Sequence, residues 1–179
     1  YTLEQTLAEA AHAKNGLTRE FHIVGGLDMQ AGLEYYATMF RALKRDHPRV
    51  HIKALTAVEI AHIARIDKLS VRDVLVALRE AGLDTMPGGG AEVFSKGVRA
   101  TIADRKLAAE EWLEVHEIAH GLGIRTNCTM LYGHVESVED RIEHLAMLRD
   151  LQDKTGGFLA YIPLAYHPDN NELGKTLHR

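Results

Sequence analysis

The chain has 179 residues, 46% of them apolar and 26% charged, which fits one sizeable globular core and gives no sign of disorder or of a membrane span. Its formal net charge is -4, with Lys and Arg scattered among acidic residues, which argues against a nucleic-acid surface and leaves a small molecule as the expected partner. The single cysteine, Cys128, excludes an internal disulfide framework and a thiolate cluster held by this stretch alone; with no targeting signal at the N-terminus, the expected location is a reducing cytoplasm.

Apolar periodicity predicts a first helix over 3–14, with Thr2 as N-cap and Gly16 as stop. A strand over 20–24 follows and ends in Gly25-Gly26, then a helix over 33–45 stops before Pro48, and 50–55 reads as the second strand. Thr56-Ala57-Val58-Glu59 matches a capping box, and Ser70-Val71-Arg72-Asp73 opens the next helix, which stops at Gly82. The segment Gly82-Leu83-Asp84-Thr85-Met86-Pro87-Gly88-Gly89-Gly90-Ala91-Glu92 reads as a short strand opening into a ligand-sized concavity. Three glycines clear the loop of side chains, so a ligand can meet bare backbone N–H groups, and Glu92 stands at the rim; a flexible turn without chemistry is the alternative. Helix over 108–121, strand over 124–130, helix over 137–154 and strand over 158–164 complete the chain.

This alternation is α/β, with strand starts about every 30 to 40 residues, the size of a βα unit. No linker or composition break divides residues 1–179, so a single domain is expected, either a doubly wound sheet or a β/α barrel. The barrel is favoured because each strand ends in a polar or glycine-rich segment: Gly25-Gly26, Lys53 with Thr56, 87–92, 129–136 and 163–170. In parallel α/β folds those ends share one face and converge on one site. Five units are fewer than the eight of a full barrel of ~250 residues, so the expectation is a partial (βα) TIM-type barrel of about five parallel strands alternating with helices.

Several longer motifs stand in a fixed order: His22-Ile23-Val24-Gly25-Gly26-Leu27, His51-Ile52-Lys53-Ala54, Thr56-Ala57-Val58-Glu59-Ile60, the stretch 81–94, and Thr129-Met130-Leu131-Tyr132-Gly133-His134-Val135-Glu136. After them come Leu148-Arg149-Asp150-Leu151-Gln152-Asp153, Thr155-Gly156-Gly157-Phe158 and Ile162-Pro163-Leu164. On these residues the chain resembles the aminofutalosine synthase group of radical S-adenosylmethionine (SAM) enzymes, which act in the futalosine route to menaquinone. The resemblance implies a β/α barrel, SAM and a [4Fe–4S] cluster as cofactors, and an external electron donor. It implies a transferase in which the 5'-deoxyadenosyl radical adds to 3-[(1-carboxyvinyl)oxy]benzoate; the adduct rearranges and loses carbon dioxide to give aminofutalosine. The sister cyclase, which acts on dehypoxanthine futalosine, shares the Pro-Gly-Gly-Gly-Ala-Glu signature, whereas 51–54 and 131–134 look more like the synthase. The CxxxCxxC motif that holds the cluster is not in this chain, and Cys128 lies in a strand. The family places that motif just upstream of Tyr1 and further chain after Arg179, so the expectation is an internal fragment that keeps much of the substrate pocket and does not initiate radicals by itself.

The same resemblance implies roles for side chains. Gly25 and Gly26 meet the methionine amino group through backbone carbonyls, unless the pair simply ends a strand. Glu92 accepts the ribose hydroxyls and Arg99 forks onto the methionine carboxylate, with a surface salt bridge as the alternative for Arg99. Thr129, Met130 and Tyr132 approach adenine, with core packing as the alternative for Met130. Lys53, His134 and His167 are donors for substrate carboxylates; an inward Lys53 needs an answer from Glu59 or the substrate, while Glu136 serves as partner or shapes its loop. A rival enzyme class, a zinc hydrolase, is suggested by His116-Glu117-Ile118-Ala119-His120, a literal H-E-x-x-H. Against it, Thr126 takes the third-histidine place, Glu114 charges a position that is usually apolar, and the helix feeds the far end of the barrel. A non-catalytic nucleoside-binding module is the third reading. An incomplete barrel should also leave unpaired strand edges and favour association.

Overall fold

The computed structural model describes residues 1–12, 16–103 and 106–177. The elements run α1 (Leu3–Ala11), β1 (Glu20–Ile23), α2 (Leu33–Asp46), β2 (His51–Ala54), α3 (Ala57–Asp67), α4 (Val71–Ala81) and β3 (Thr85–Met86). They continue with α5 (Lys96–Ile102), α6 (Ala109–Gly121), β4 (Arg125–Tyr132), α7 (Val138–Thr155), β5 (Phe158–Ala165) and α8 (Glu172–Thr176). The last residues of the predicted first helix, Ala13 and Lys14, lie outside the described residues.

Local chemistry sets the boundaries. Thr2, Thr56, Ser70 and Ser137 each accept a hydrogen bond from a first-turn N–H of the helix they cap. β2 stops one residue early because Leu55 takes φ 59°, turning the chain toward its Thr56 cap. β3 is only two residues long, since Pro87 has no N–H to continue the ladder. Helices α5 and α8, of seven and five residues, escape periodicity because each is too short to show a stripe.

The five strands are parallel and ordered β1-β2-β3-β4-β5. A doubly wound sheet reverses its order at a switch point; sequential order keeps successive helices on one face and leaves the other open, as in a β/α barrel. Side-chain parity agrees. Ile52, Ala54 and Met86 are buried beneath the helices with Phe40, Leu43, Ile60, Leu75, Leu78 and Trp112. Glu20, His22, His51 and Lys53 take the alternate positions of β1 and β2 and line the open face.

Candidate functional site

The C-terminal strand ends gather on one rim. Gly25 N–H donates to Glu59 Oε1 at 2.6 Å, while Glu59 Oε2 accepts from Thr56 N and Thr56 Oγ1, each at 2.7 Å. One buried carboxylate thus ties the end of β1 to the start of α3, where the helix dipole also favours it. A Cβ on Gly25 would stand 2.7 Å from the Tyr36 hydroxyl, so a larger residue there requires that side chain to move. Burial, with Glu59 close by, pushes the Tyr36 hydroxyl pKa up to about 12 and keeps it protonated. Gly26 has nothing near its Cβ position, and with His22, Gly25, Asp28 and Tyr36 it lines a cleft of about 800 Å³.

The glycine-rich loop is held from within. A Cβ on Gly88 would stand 2.7 Å from the Asn127 carbonyl oxygen, and one on Gly90, at φ 84°, would collide with Val58. Thr129 Oγ1 donates to Gly88 O at 2.6 Å and Trp112 Nε1 to Gly89 O at 3.1 Å. The close approaches that Gly88 and Gly90 permit are made by β4 and α3, and the loop carbonyls of Gly88 and Gly89 are taken by Thr129 and Trp112. Glu92 sits at φ 48° at the rim and pairs with Lys106.

Arg99 is neither a surface ion pair nor free to fork onto a ligand. It is 7% exposed, donating through Nη1 to Ala91 O at 2.6 Å and through Nη2 to Leu107 O, and burial lowers its pKa. Its role is to brace the loop that carries Glu92. Thr129 lies on the open face, whereas Met130 packs with Val93 and Val98 on the helix side. Tyr132 joins that cluster, 5.7 Å from the Arg141 guanidinium carbon, so neither large side chain forms a wall toward the open face.

Lys53 does face the open side, but Glu20 answers it and Glu59 does not: Nζ lies 3.0 Å from Glu20 Oε2. His134 is closed within its own loop, its Nε2 2.9 Å from Leu131 O and its Nδ1 2.7 Å from Val135 N. Glu136, whose side chain is fully covered, accepts from Gly133 N at 2.5 Å, His134 N at 2.8 Å and Arg141 Nη2 at 2.6 Å; these donors hold its pKa down against the opposing effect of burial. It shapes the loop. His167 is exposed beside Asp169, on the segment after β5.

The H-E-x-x-H helix does not make a zinc site. His116 Nδ1 and His120 Nε2 both contact Thr126 Oγ1 at 2.8 Å, His120 Nδ1 contacts Thr155 Oγ1 at 2.7 Å, and Glu117 pairs with Lys154 at 2.6 Å. Among the described residues no group of three or more His, Cys, Asp or Glu is placed to hold a metal. Residues missed by the sequence reading are Glu20, His22 and Tyr36. The period-two alternation of Glu20-Phe21-His22-Ile23 beside His51-Ile52-Lys53-Ala54 carried the signal for the first two.

A family model described as the radical SAM superfamily matches residues 1–148. The chain belongs to that superfamily. It is 54% identical over 162 residues to an aminodeoxyfutalosine synthase of Thermus thermophilus, covering 90% of this chain and 43% of the relative. It is 48% identical over 153 residues to a cyclic dehypoxanthine futalosine synthase of Streptomyces coelicolor, covering 85% and 38%. A third relative, a 5-amino-6-(D-ribitylamino)uracil–L-tyrosine 4-hydroxyphenyl transferase of Methanosarcina acetivorans, is 39% identical over 178 residues, covering 99% and 48%. The chain spans less than half the length of these relatives. Among solved structures it resembles the cobalamin-dependent radical SAM enzyme OxsB, with a TM-score of 0.58 at 12% identity over 99% of this chain and 24% of that one, a likeness of fold alone.

The radical SAM superfamily works with SAM and a four-iron cluster. The cleft beside Gly25 and Gly26 is of the size that encloses such a nucleoside ligand. The cluster does not fit the residues present: Cys128 is the one cysteine, it is buried with Sγ 3.6 Å from Ala160 O, and burial pushes its thiol up to about 11. Among the described residues no helix is long and apolar enough to cross a membrane.

Proposed function

We propose that this chain forms, as one domain, the substrate-holding part of a cytoplasmic radical SAM aminofutalosine synthase. The observation that carries this reading is the 54% identity over 162 residues to the Thermus thermophilus synthase, taken with the synthase-like segments 51–54 and 131–134. In the reaction proposed, the 5'-deoxyadenosyl group of SAM is transferred to 3-[(1-carboxyvinyl)oxy]benzoate, carbon dioxide is lost, and aminofutalosine results. An external donor supplies the electron, and cluster ligation comes from cysteines that this chain does not contain.

The chain's own residues bind and orient. The carbonyls of Gly25 and Gly26 receive the methionine amino group beside the 800 Å³ cleft. Glu92, held at the rim by its pairing with Lys106 and by the Arg99 brace beneath, exchanges that pairing for the ribose diol. Thr129, with the backbone of Met130 and Tyr132, borders the adenine. Lys53 takes a substrate carboxylate, exposed His167 closes over it from the β5 end, and His134 contributes by keeping the 131–136 loop rigid.

The test is turnover by the full-length, cluster-reconstituted protein supplied with SAM, a reductant and the enol-ether benzoate, with products read by mass spectrometry. Aminofutalosine is the expected product. Turnover of dehypoxanthine futalosine in its place would overturn the reading in favour of the cyclase.

A further inference from the structure

The open face of the sheet is divided. Its β1–β2 half carries Glu20, His22, His51 and Lys53, with His22 directly in register with Lys53. Its β4–β5 half carries Leu131, Ile162 and Leu164 beside the polar Asn127 and Thr129, with Ile162 in register with Thr129 and 38% exposed. Neighbouring strands lie about 4.8 Å apart, so the two halves are separated by roughly 10–15 Å along the sheet, the reach of a small aromatic acid and its substituent.

Within the charged half, one ion pair is lopsided. Lys53 Nζ lies 3.1 Å from Glu20 Oε1 and 3.0 Å from Oε2, yet the lysine side chain is 16% exposed and the glutamate 35% exposed. A lysine so covered requires a counter-charge. The carboxylate that supplies it has no other hydrogen bond among the described residues, so nothing but Lys53 holds it in place. His22, on the same strand and face as Glu20, has no hydrogen-bond partner among the described residues, and it borders the cleft next to Gly25. Lys53 and His22 together present donors for one carboxylate, and Glu20 already occupies part of that position.

We propose that Glu20 is a placeholder: without ligand it takes on Lys53 the position of a ligand carboxylate, and an aryl carboxylate displaces it, binding Lys53 and His22 through its anionic group while its ring lies toward Ile162. This rests on the reading of the open face as the substrate chamber of the proposed synthase. The ligand class follows from the two halves, an anion for Lys53 and His22 and an apolar ring for Leu131, Ile162 and Leu164, which stand beside the polar Asn127 and Thr129.

The test is calorimetric titration of the full-length protein with benzoate and with neutral benzamide. Wild type is expected to prefer benzoate. Glu20→Gln, by removing the competitor, is expected to bind benzoate about three- to tenfold more tightly. Lys53→Met should erase the preference, and Lys53→Arg should keep it. A pair that is merely structural would weaken benzoate binding when either partner is removed, so the opposite signs are diagnostic. Weaker benzoate binding in Glu20→Gln, or a preference that survives in Lys53→Met, overturns the proposal; if Lys53→Met shows no cooperative melt, the nearly isosteric Glu20→Gln decides alone. The two readings fail separately. Benzoate exchange without aminofutalosine formation removes the synthase, whereas aminofutalosine formation with an unchanged KM for the enol-ether benzoate in Glu20→Gln and Lys53→Met removes the placeholder.

Discussion

Gly88 and Gly26 differ in what surrounds the missing Cβ. At Gly88 it would meet the Asn127 carbonyl oxygen and Cys128 Cα at 2.7 Å, and backbone atoms in a paired strand cannot rotate away. Gly88→Ala is therefore expected to destabilise the protein by about 1–3 kcal/mol, the usual range for overpacking, whereas Gly26→Ala, with nothing within 4 Å, should stay within about 0.5 kcal/mol of wild type. Urea denaturation of both variants checks this, and equal midpoints would contradict it. A glycine in sequence records that something comes close but not whether the visitor is a ligand or the next strand. Arg99 was opaque for a related reason: the sequence offers it two helical turns after Glu92 as a fork for a carboxylate or a surface ion pair, but only the chain path shows the Ala91 and Leu107 carbonyls that absorb its guanidinium.

Helices α6 and α7 are fastened to β4 by histidines that must stay neutral. One Thr126 hydroxyl serves both His116 and His120, donating to one ring and accepting from the other, and His144 Nε2 lies 2.9 Å from Thr129 O. His116 Nε2 and His144 Nδ1 are buried with no hydrogen-bond partner, so protonating either would place a charged donor where no acceptor waits. Burial accordingly lowers all three pKa values, to about 4 for His120 and His144. The unfolded chain, titrating near 6.5, binds more protons than the folded one as pH falls. Stability from these groups is therefore complete above pH 6.5 and lost between about 6.5 and 4, on the order of 3 kcal/mol from His144 alone. Urea midpoints measured from pH 7.5 to pH 4.5 should fall, and His144→Gln should flatten the slope; midpoints independent of pH would contradict the assignment. The H-E-x-x-H spacing was legible as two rings on one helix face. What that face meets, a threonine of β4 and not a metal, depends on a strand that follows in sequence and lies beneath in space.

The sheet has two edges, β1 and β5, and β5 is long and apolar: of its eight residues only Phe158 is buried, and Leu159, Tyr161, Ile162 and Leu164 are 38–46% exposed. Such an edge offers unpaired backbone groups and apolar side chains together, with Pro163 removing one donor. The isolated chain is expected to associate in a concentration-dependent way, and Leu159→Lys to shift sedimentation toward monomer without lowering the melting temperature; a wild type that stays monomeric at high concentration would contradict this. At this scale the amino-acid order was most informative. Alternating strand and helix patterns, capping residues and glycine-rich strand ends suffice for a partial β/α barrel with its site on one rim, because these signals are local and repeat along the chain. The partners were settled only in space: Glu20 for Lys53, Ala91 for Arg99, Thr126 for His116 and His120, the helix side for Met130. Strand register and the curvature of the sheet choose among side chains that any local pattern leaves equivalent.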